Sequence, residues 1–147
     1  AVRERRMTRL YTVGYEGRTQ EAIITALADS GVAVVLDVRW RPLSRKRGLS
    51  KTALAAACAV AGIEYRHDRR LGTPPEILQR LRSEGIYDWD AYAAHLDTQH
   101  AALEDAEEIS TAARTALLCY EANPQECHRL LVATRVGSDA SLGVVHL

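Results

Sequence analysis

The chain has 147 residues, the length of one typical domain, and its 19 basic residues are balanced by 19 acidic ones. A composition that is 47% hydrophobic and 26% charged excludes disorder and collagen-like repeats. Zero net charge removes any whole-molecule field for nonspecific nucleic-acid binding, so a basic footprint has to be local.

In chain order, the basic segment 1–8 reads as a flexible N-terminus, and residues 9–147 read as one α/β domain. "RLYTV" is a short β-rich run ending at "GYEG". "TQEAIITALADSG" has helical spacing, with Thr19 placed to cap it and Gly31 to stop it. "VAVVLDV" is the continuous apolar strand expected when helices cover both faces of a sheet. After a basic loop, "SKTALAAACAVAG" is a second helix running from Ser50 to Gly62, and "IEYRH" is the third strand. "RRLGTPPEILQRLRSEG" holds a turn and a helix opened by proline, and residues 87–110 read as one long amphipathic helix. "TALLCY" is the fourth strand, Asn123-Pro124-Gln125-Glu126 has the pattern of a helix start, and "VVHL" is a short fifth strand.

Strands alternating with helices predict a single-domain, mostly parallel sheet of about five strands with helices on both faces, a Rossmann-like three-layer arrangement. Ligands in such folds bind outside the carboxyl ends of the strands, near a switch in strand order. That rule gathers Gly14 to Gly17, Asp37 and Arg39, His67 and Asp68, and Cys119 and Glu121 at one edge. No apolar run approaches the roughly twenty residues that span a bilayer. The N-terminus "AVRERRMTRL" lacks the apolar stretch of a signal peptide, which predicts a cytoplasmic protein.

Three cysteines, an odd number without a secretory signal, point to reduced thiols rather than a disulfide framework. Cys58 lies within "ALAAACAVAG" and reads as packing. Cys119 ends an apolar strand, where a small buried hydrophobe and a reactive thiol are both open readings. Cys127 falls in the first turn of the expected helix, sharing a face with Leu130, Leu131 and Thr134; a helix N-terminus there would make the thiolate more available. Glu121, just past the strand end, is a candidate general base or the partner of an arginine. Cys127, Glu121, Asp37 and Cys119 are therefore the candidate catalytic residues. A zinc site from Cys119, Cys127 and His128 would need a further ligand such as His67 and has no tight ligand pair, so no metal is expected.

"DVRWRPLSRKRGLSK" places six cations in the thirteen residues 39–51, opposed only by Asp37. Lys46 and Lys51 are the only lysines of the chain, so the richness in arginine is general and lends the loop less weight. A strand-end position would nonetheless focus an anion. Arg39, Arg45, Arg129 and His128 are the candidate anion-binding residues. "GYEG" is neither a Gly-x-Gly-x-x-Gly nor a Walker sequence, and no cofactor is expected.

The segments "YTVGYEGRT", "VLDVRWRPLSR", "AGIEYRHDRRLG", "LLCYEANPQECHR" and "VVHL" together resemble the family called domain of unknown function 488. The resemblance covers nearly all of the chain after Arg9, and departs from the common family form in carrying "GYEGRT" where many members have a Gly-His-Ser-like turn. It implies a compact α/β domain with a residue cluster at the strand ends, and no established reaction. The expected function is a small enzyme acting on an anionic, phosphate-bearing or nucleotide-like molecule. The alternative is a noncatalytic module that docks nucleic acid or a regulatory partner through the 39–51 loop, with Trp40 as its one stacking platform.

Overall fold

The computed structural model describes residues 6–147, so most of the basic N-terminal segment lies outside the described residues. Five strands form one all-parallel sheet: β1 (Arg9–Gly14), β2 (Val34–Asp37), β3 (Glu64–His67), β4 (Thr115–Cys119) and β5 (Gly143–His146), in the order β3-β2-β4-β1-β5. The helices are α1 (Gln20–Asp29), α2 (Lys51–Val60), α3 (Pro75–Glu84), α4 (Trp89–Asp97), α5 (His100–Ala112) and α6 (Arg129–Ala140). None is long and apolar enough to cross a membrane.

Two cores follow from the alternation of side chains along the strands. On one face, Val13, Val35, Ala116 and Leu118 pack with Ile23 and Leu27 of α1 and Leu54 and Cys58 of α2. On the other, Leu10, Leu36, Leu117 and Cys119 pack with Tyr92 and Leu96 of α4, Leu103 of α5 and Val132 and Val136 of α6. The three-layer expectation is met, and the thiols are already sorted. Cys58 belongs to the α1/α2 face, whereas Cys119 faces α6.

The chain runs outward from β1 to β3 along one half of the sheet, returns to place β4 between β2 and β1, and finishes at β5 on the far edge. The loops after β1 and β2 lead to helices on one face and the loop after β4 leads to α6 on the other. The crevice produced by this switch lies at the carboxyl end of β4, where Cys119 and Glu121 stand.

Local capping agrees with the sequence at α1, where the Thr19 hydroxyl accepts from the Ala22 amide and Gly31 adopts a φ of 69°. It differs at α2. Ser50 makes no side-chain cap bond there, because its hydroxyl instead accepts from the Ser44 amide and donates to the Ser44 carbonyl, folding the basic loop onto itself.

Two expected helices are also revised. Residues 87–110 are not one helix: the Thr98 amide and hydroxyl both turn back to the His95 carbonyl, and the chain restarts as α5 at His100. The break lets Leu96, Ala102 and Leu103 all reach the same core. Likewise, the Asn123 side chain accepts from the Gln125 amide and starts only a single 3-10 turn, Pro124–Glu126. Cys127 is extended (φ −120°, ψ 138°), and α6 begins at Arg129. Cys127 is thus not on a helix face with Leu130, Leu131 and Thr134.

Gly14 ends β1 opposite Cys119, and a Cβ built there would lie 1.8 Å from the Glu121 carbonyl oxygen. The close approach seats the 120–122 turn on the sheet edge, since the amides of Tyr15 and Glu16 donate to the carbonyls of Cys119 and Tyr120. Gly14→Ala is expected to destabilise the protein by about 1–3 kcal/mol through forced backbone movement, read as a lower urea midpoint at unchanged m-value.

Candidate functional site

Asp37 ends β2 with its side chain on the α1/α2 face and is fully buried. Its carboxylate receives Arg39 in a fork, Nε to Oδ1 at 2.9 Å and NH2 to Oδ2 at 2.7 Å, and also accepts from the Tyr65 hydroxyl and the Arg39 amide. The remaining Arg39 nitrogen donates to the Leu49 carbonyl at 2.7 Å and the Tyr15 hydroxyl at 3.2 Å. Burial works against the Arg39 charge, and the Asp37 carboxylate outweighs it, driving the guanidinium pKa up. This pair ties β1, β2, β3 and the basic loop together. The Asp37 carboxylate has no hydrogen-bonding position left for a ligand, and Arg39, which lines the strand-end cleft, keeps one N–H on NH2.

The next residue, Val38, points the other way, and its carbonyl accepts from His128 Nε2 at 2.8 Å. Because a carbonyl oxygen only accepts, Nε2 carries a proton and Nδ1 is turned toward the sulfurs. Cys119 Sγ lies 3.6 Å from Nδ1 and 3.8 Å from Nε2, and Cys127 Sγ lies 3.9 Å from Nδ1. Glu121 Oε2 completes the group, 3.8 Å from Cys119 Sγ. Cys119, Cys127 and His128 are buried, and their ligating atoms all fall within 4.8 Å of one another.

The ionisation of these groups is shared. Burial pushes the Cys119 thiol up, and the neighbouring Cys127 pushes it further. Burial opposes ionisation of Cys127 as well, but the Cys119 donor, His128 and the Arg129 amide overcome it and bring Cys127 down to about 3. Burial also opposes the charge on His128, and Cys127 outweighs it, so the imidazole is raised. Glu121 is pushed up to about 7, first by burial and then by the charge on Cys127. These directions favour a thiolate at Cys127 opposite a protonated His128, with Cys119 and Glu121 held toward their neutral forms beside them.

A cleft of about 550 Å³ opens over this group. Cys119, Glu121 and His128 face it, while Cys127 lies behind them. Trp40, Tyr87, Leu43 and Leu78 give it apolar walls, and Arg41 and Arg82 stand on its border, both exposed and without an ion pair among the described residues. Arg69 lies over the Trp40 ring, 4.6 Å from its centroid, and fixes that wall from outside.

Of the residues singled out in the sequence, Cys119, Cys127, Glu121 and His128 converge. Asp37 is spent on Arg39, whereas Arg39 lines the same cleft with its charge matched and one N–H left. Arg45 is exposed on the basic loop and does not line the cleft. Arg129 is fully buried, donating to the carbonyls of Glu121 at 2.5 Å and Ala122 at 3.4 Å, so its guanidinium holds the turn rather than facing the cleft. His67 is directed to the Arg39 carbonyl at 2.6 Å. Sequence reasoning missed Arg82, Tyr87 and Tyr65, and took Tyr15 only as part of the Gly14 to Gly17 turn. Arg82 sits next to the apolar stripe Leu78 and Leu81 on α3, a position visible only once the helix is docked on the strand ends.

Removing one partner from the buried fork leaves a stranded charge. Asp37→Ala is expected to cost about 3–5 kcal/mol, and Tyr65→Phe, which removes one bond to a charged acceptor, about 1.5–3 kcal/mol, both measured by urea unfolding. Asp37→Ala at the level of an ordinary surface substitution would show that the pair does not anchor the strand ends.

No curated protein and no solved structure matches the chain. A family model, described as a domain of unknown function, matches residues 19–136, a span that runs from the cap of α1 through the Cys119–His128 cluster and most of α6. The chain belongs to the DUF488 family.

Proposed function

We propose that the protein is an enzyme acting on a small molecule with an anionic group, bound in the strand-end cleft. The observation that carries the reading is the meeting of a thiol, an imidazole and a carboxyl on one side of an apolar-walled cleft whose border holds two guanidiniums without an ion pair among the described residues. The reacting centre belongs at Cys119, Glu121 and His128, with Cys127 setting their charge from behind. The anionic group belongs at Arg41 and Arg82. Trp40 and Tyr87 offer ring faces and edges to a planar or apolar body between these two poles.

The main anion-binding role moves from Arg39 and Arg129 to Arg41 and Arg82, because Arg39 has its charge matched by Asp37 and a single N–H left, and Arg129, whose Nε has no partner, is fully buried and does not line the cleft. The border arginines have donors to lend. Phosphate-bearing and nucleotide-like molecules fit the two poles, and titration of inorganic phosphate and mononucleotides followed by Trp40 fluorescence tests the reading. Arg41→Ala and Arg82→Ala are each expected to weaken binding by about 1.5–3 kcal/mol, the scale of a charge-assisted hydrogen bond, while Arg45→Ala leaves it unchanged. Binding that appears only with long oligonucleotides and is abolished by Arg45→Ala would replace the enzyme with a nucleic-acid module. No binding of any of these anions would overturn the substrate class.

A further inference from the structure

We infer that Cys119, Cys127 and His128, with Glu121 beside Cys119, form a binding site for one zinc ion, open to the cleft. This goes beyond the anion reading and stands without it, since it uses neither Arg41 nor Arg82.

The donor set is the first argument. Two sulfurs, an imidazole nitrogen and a carboxylate oxygen are the ligands zinc takes in proteins, and thiolates select it over harder cations such as magnesium and calcium. Spacing is the second. With Zn–S near 2.3 Å and Zn–N or Zn–O near 2.1 Å, the edges of a tetrahedron joining sulfur to nitrogen or oxygen come to about 3.5–3.6 Å. The observed edges are 3.6 Å for Cys119 to His128 Nδ1, 3.9 Å for Cys127 to His128 Nδ1 and 3.8 Å for Cys119 to Glu121 Oε2. Cys119, Cys127 and His128 have come together within 4.8 Å of one another, and Glu121, outside that group, has to move in from Cys119 to complete the set.

The surroundings supply the third argument. A histidine that binds a metal through one nitrogen ordinarily donates from the other to a carbonyl or carboxylate. His128 does so from Nε2 to the Val38 carbonyl, which leaves Nδ1 as the ligating atom. The ring needs one adjustment. Cys119 Sγ is nearly equidistant from the two ring nitrogens and so lies over the ring, and the ring has to tilt until the Nδ1 lone pair points between the sulfurs.

Zinc replaces the protons that these groups otherwise share, and its double charge compensates two thiolates in a buried place. Cys127 lies behind the cleft while Cys119, His128 and Glu121 face it. The Glu121 position is therefore the one that water or a substrate group can share or take over, as the fourth position of a catalytic zinc does.

The test uses the full chain, purified without chelators and reconstituted anaerobically with zinc, and reads metal content by mass spectrometry. The wild type and Cys58→Ser are expected to hold one equivalent, and Cys119→Ser, Cys127→Ser and His128→Ala to fall to background, with folding of each variant checked by circular dichroism. Cobalt in place of zinc is expected to give thiolate charge-transfer absorption and the intense visible bands of a tetrahedral site. Zinc is also expected to slow alkylation of Cys119, which lines the cleft, while Cys58, buried in the α1/α2 core, stays unreactive in the folded protein with or without the ion, a readout that needs no variant. Arg82→Ala keeps its zinc even where it loses phosphate affinity, so failure of the metal site and failure of the anion reading are separable. A wild type that binds no zinc, or a Cys119→Ser/Cys127→Ser double variant that retains a full equivalent, overturns the inference.

Discussion

The buried fork between Asp37 and Arg39 fixes the carboxyl edge of this sheet. A carboxylate at the end of a central strand, fully out of water, is tolerated only with its charge matched and its oxygens saturated. Arg39 matches the charge, and Tyr65 and the Arg39 amide complete the acceptors. In satisfying Asp37, Arg39 reaches across to the Leu49 carbonyl and Tyr15, so the basic loop and the turn after β1 are drawn to the same point. Val38, held between the two charged residues and bonded through its amide to the Leu118 carbonyl, then presents its own carbonyl to His128. The chemical cluster on one face of the sheet is therefore oriented by an ion pair on the other.

The second determinant is the alternation along β4. Thr115 to Cys119 are all buried, with Ala116 and Leu118 committed to one face and Leu117 and Cys119 to the other. Cys119 meets Cys127 because the chain leaves the 3-10 turn extended at position 127 before α6 begins. A helix starting at Pro124, as the sequence suggests, would have carried Cys127 onto the helix surface in a regular turn. Gly14 and Arg129 then hold the intervening turn from beneath, one by lacking a side chain and the other by donating to its carbonyls.

The legible part of the fold was the part written in periodicity. Continuous apolar strands, helical spacing between them and the caps at Thr19 and Gly31 depend on residues near in sequence, and these gave the parallel sheet, its two covered faces and the edge at which Asp37, Cys119 and Glu121 gather. What local pattern could not convey was the partner of each charge. Arg39, Arg45 and Arg129 look alike in sequence, yet one is forked to a carboxylate, one is solvated and one is buried against carbonyls. The two helix revisions have the same origin. Thr98 and Cys127 break regular structure because hydrogen bonding and packing set locally by tertiary contacts outweigh a modest helical propensity.

A chain with equal numbers of acidic and basic residues has no field to spare, so the charge that reaches the cleft is decided by which groups are already neutralised. The basic loop begins with a cation consumed at its root by Asp37, and its outer arginines lie away from the cleft except Arg41. The opposite border is supplied by Arg82 from α3, forty-one positions after Arg41. Between them sits a group of sulfurs and a carboxyl that share protons and surround one imidazole. A site of this kind, buried and polarisable, with its one thiolate already matched by the imidazole, gains from a cation that replaces the protons among the sulfurs and offers no net positive charge to an anion placed on them. An anionic substrate is consistent with such a floor only if its charge is held at the border and its reacting atom alone comes down to Cys119, Glu121 and His128, or if a bound metal has first given the floor positive charge.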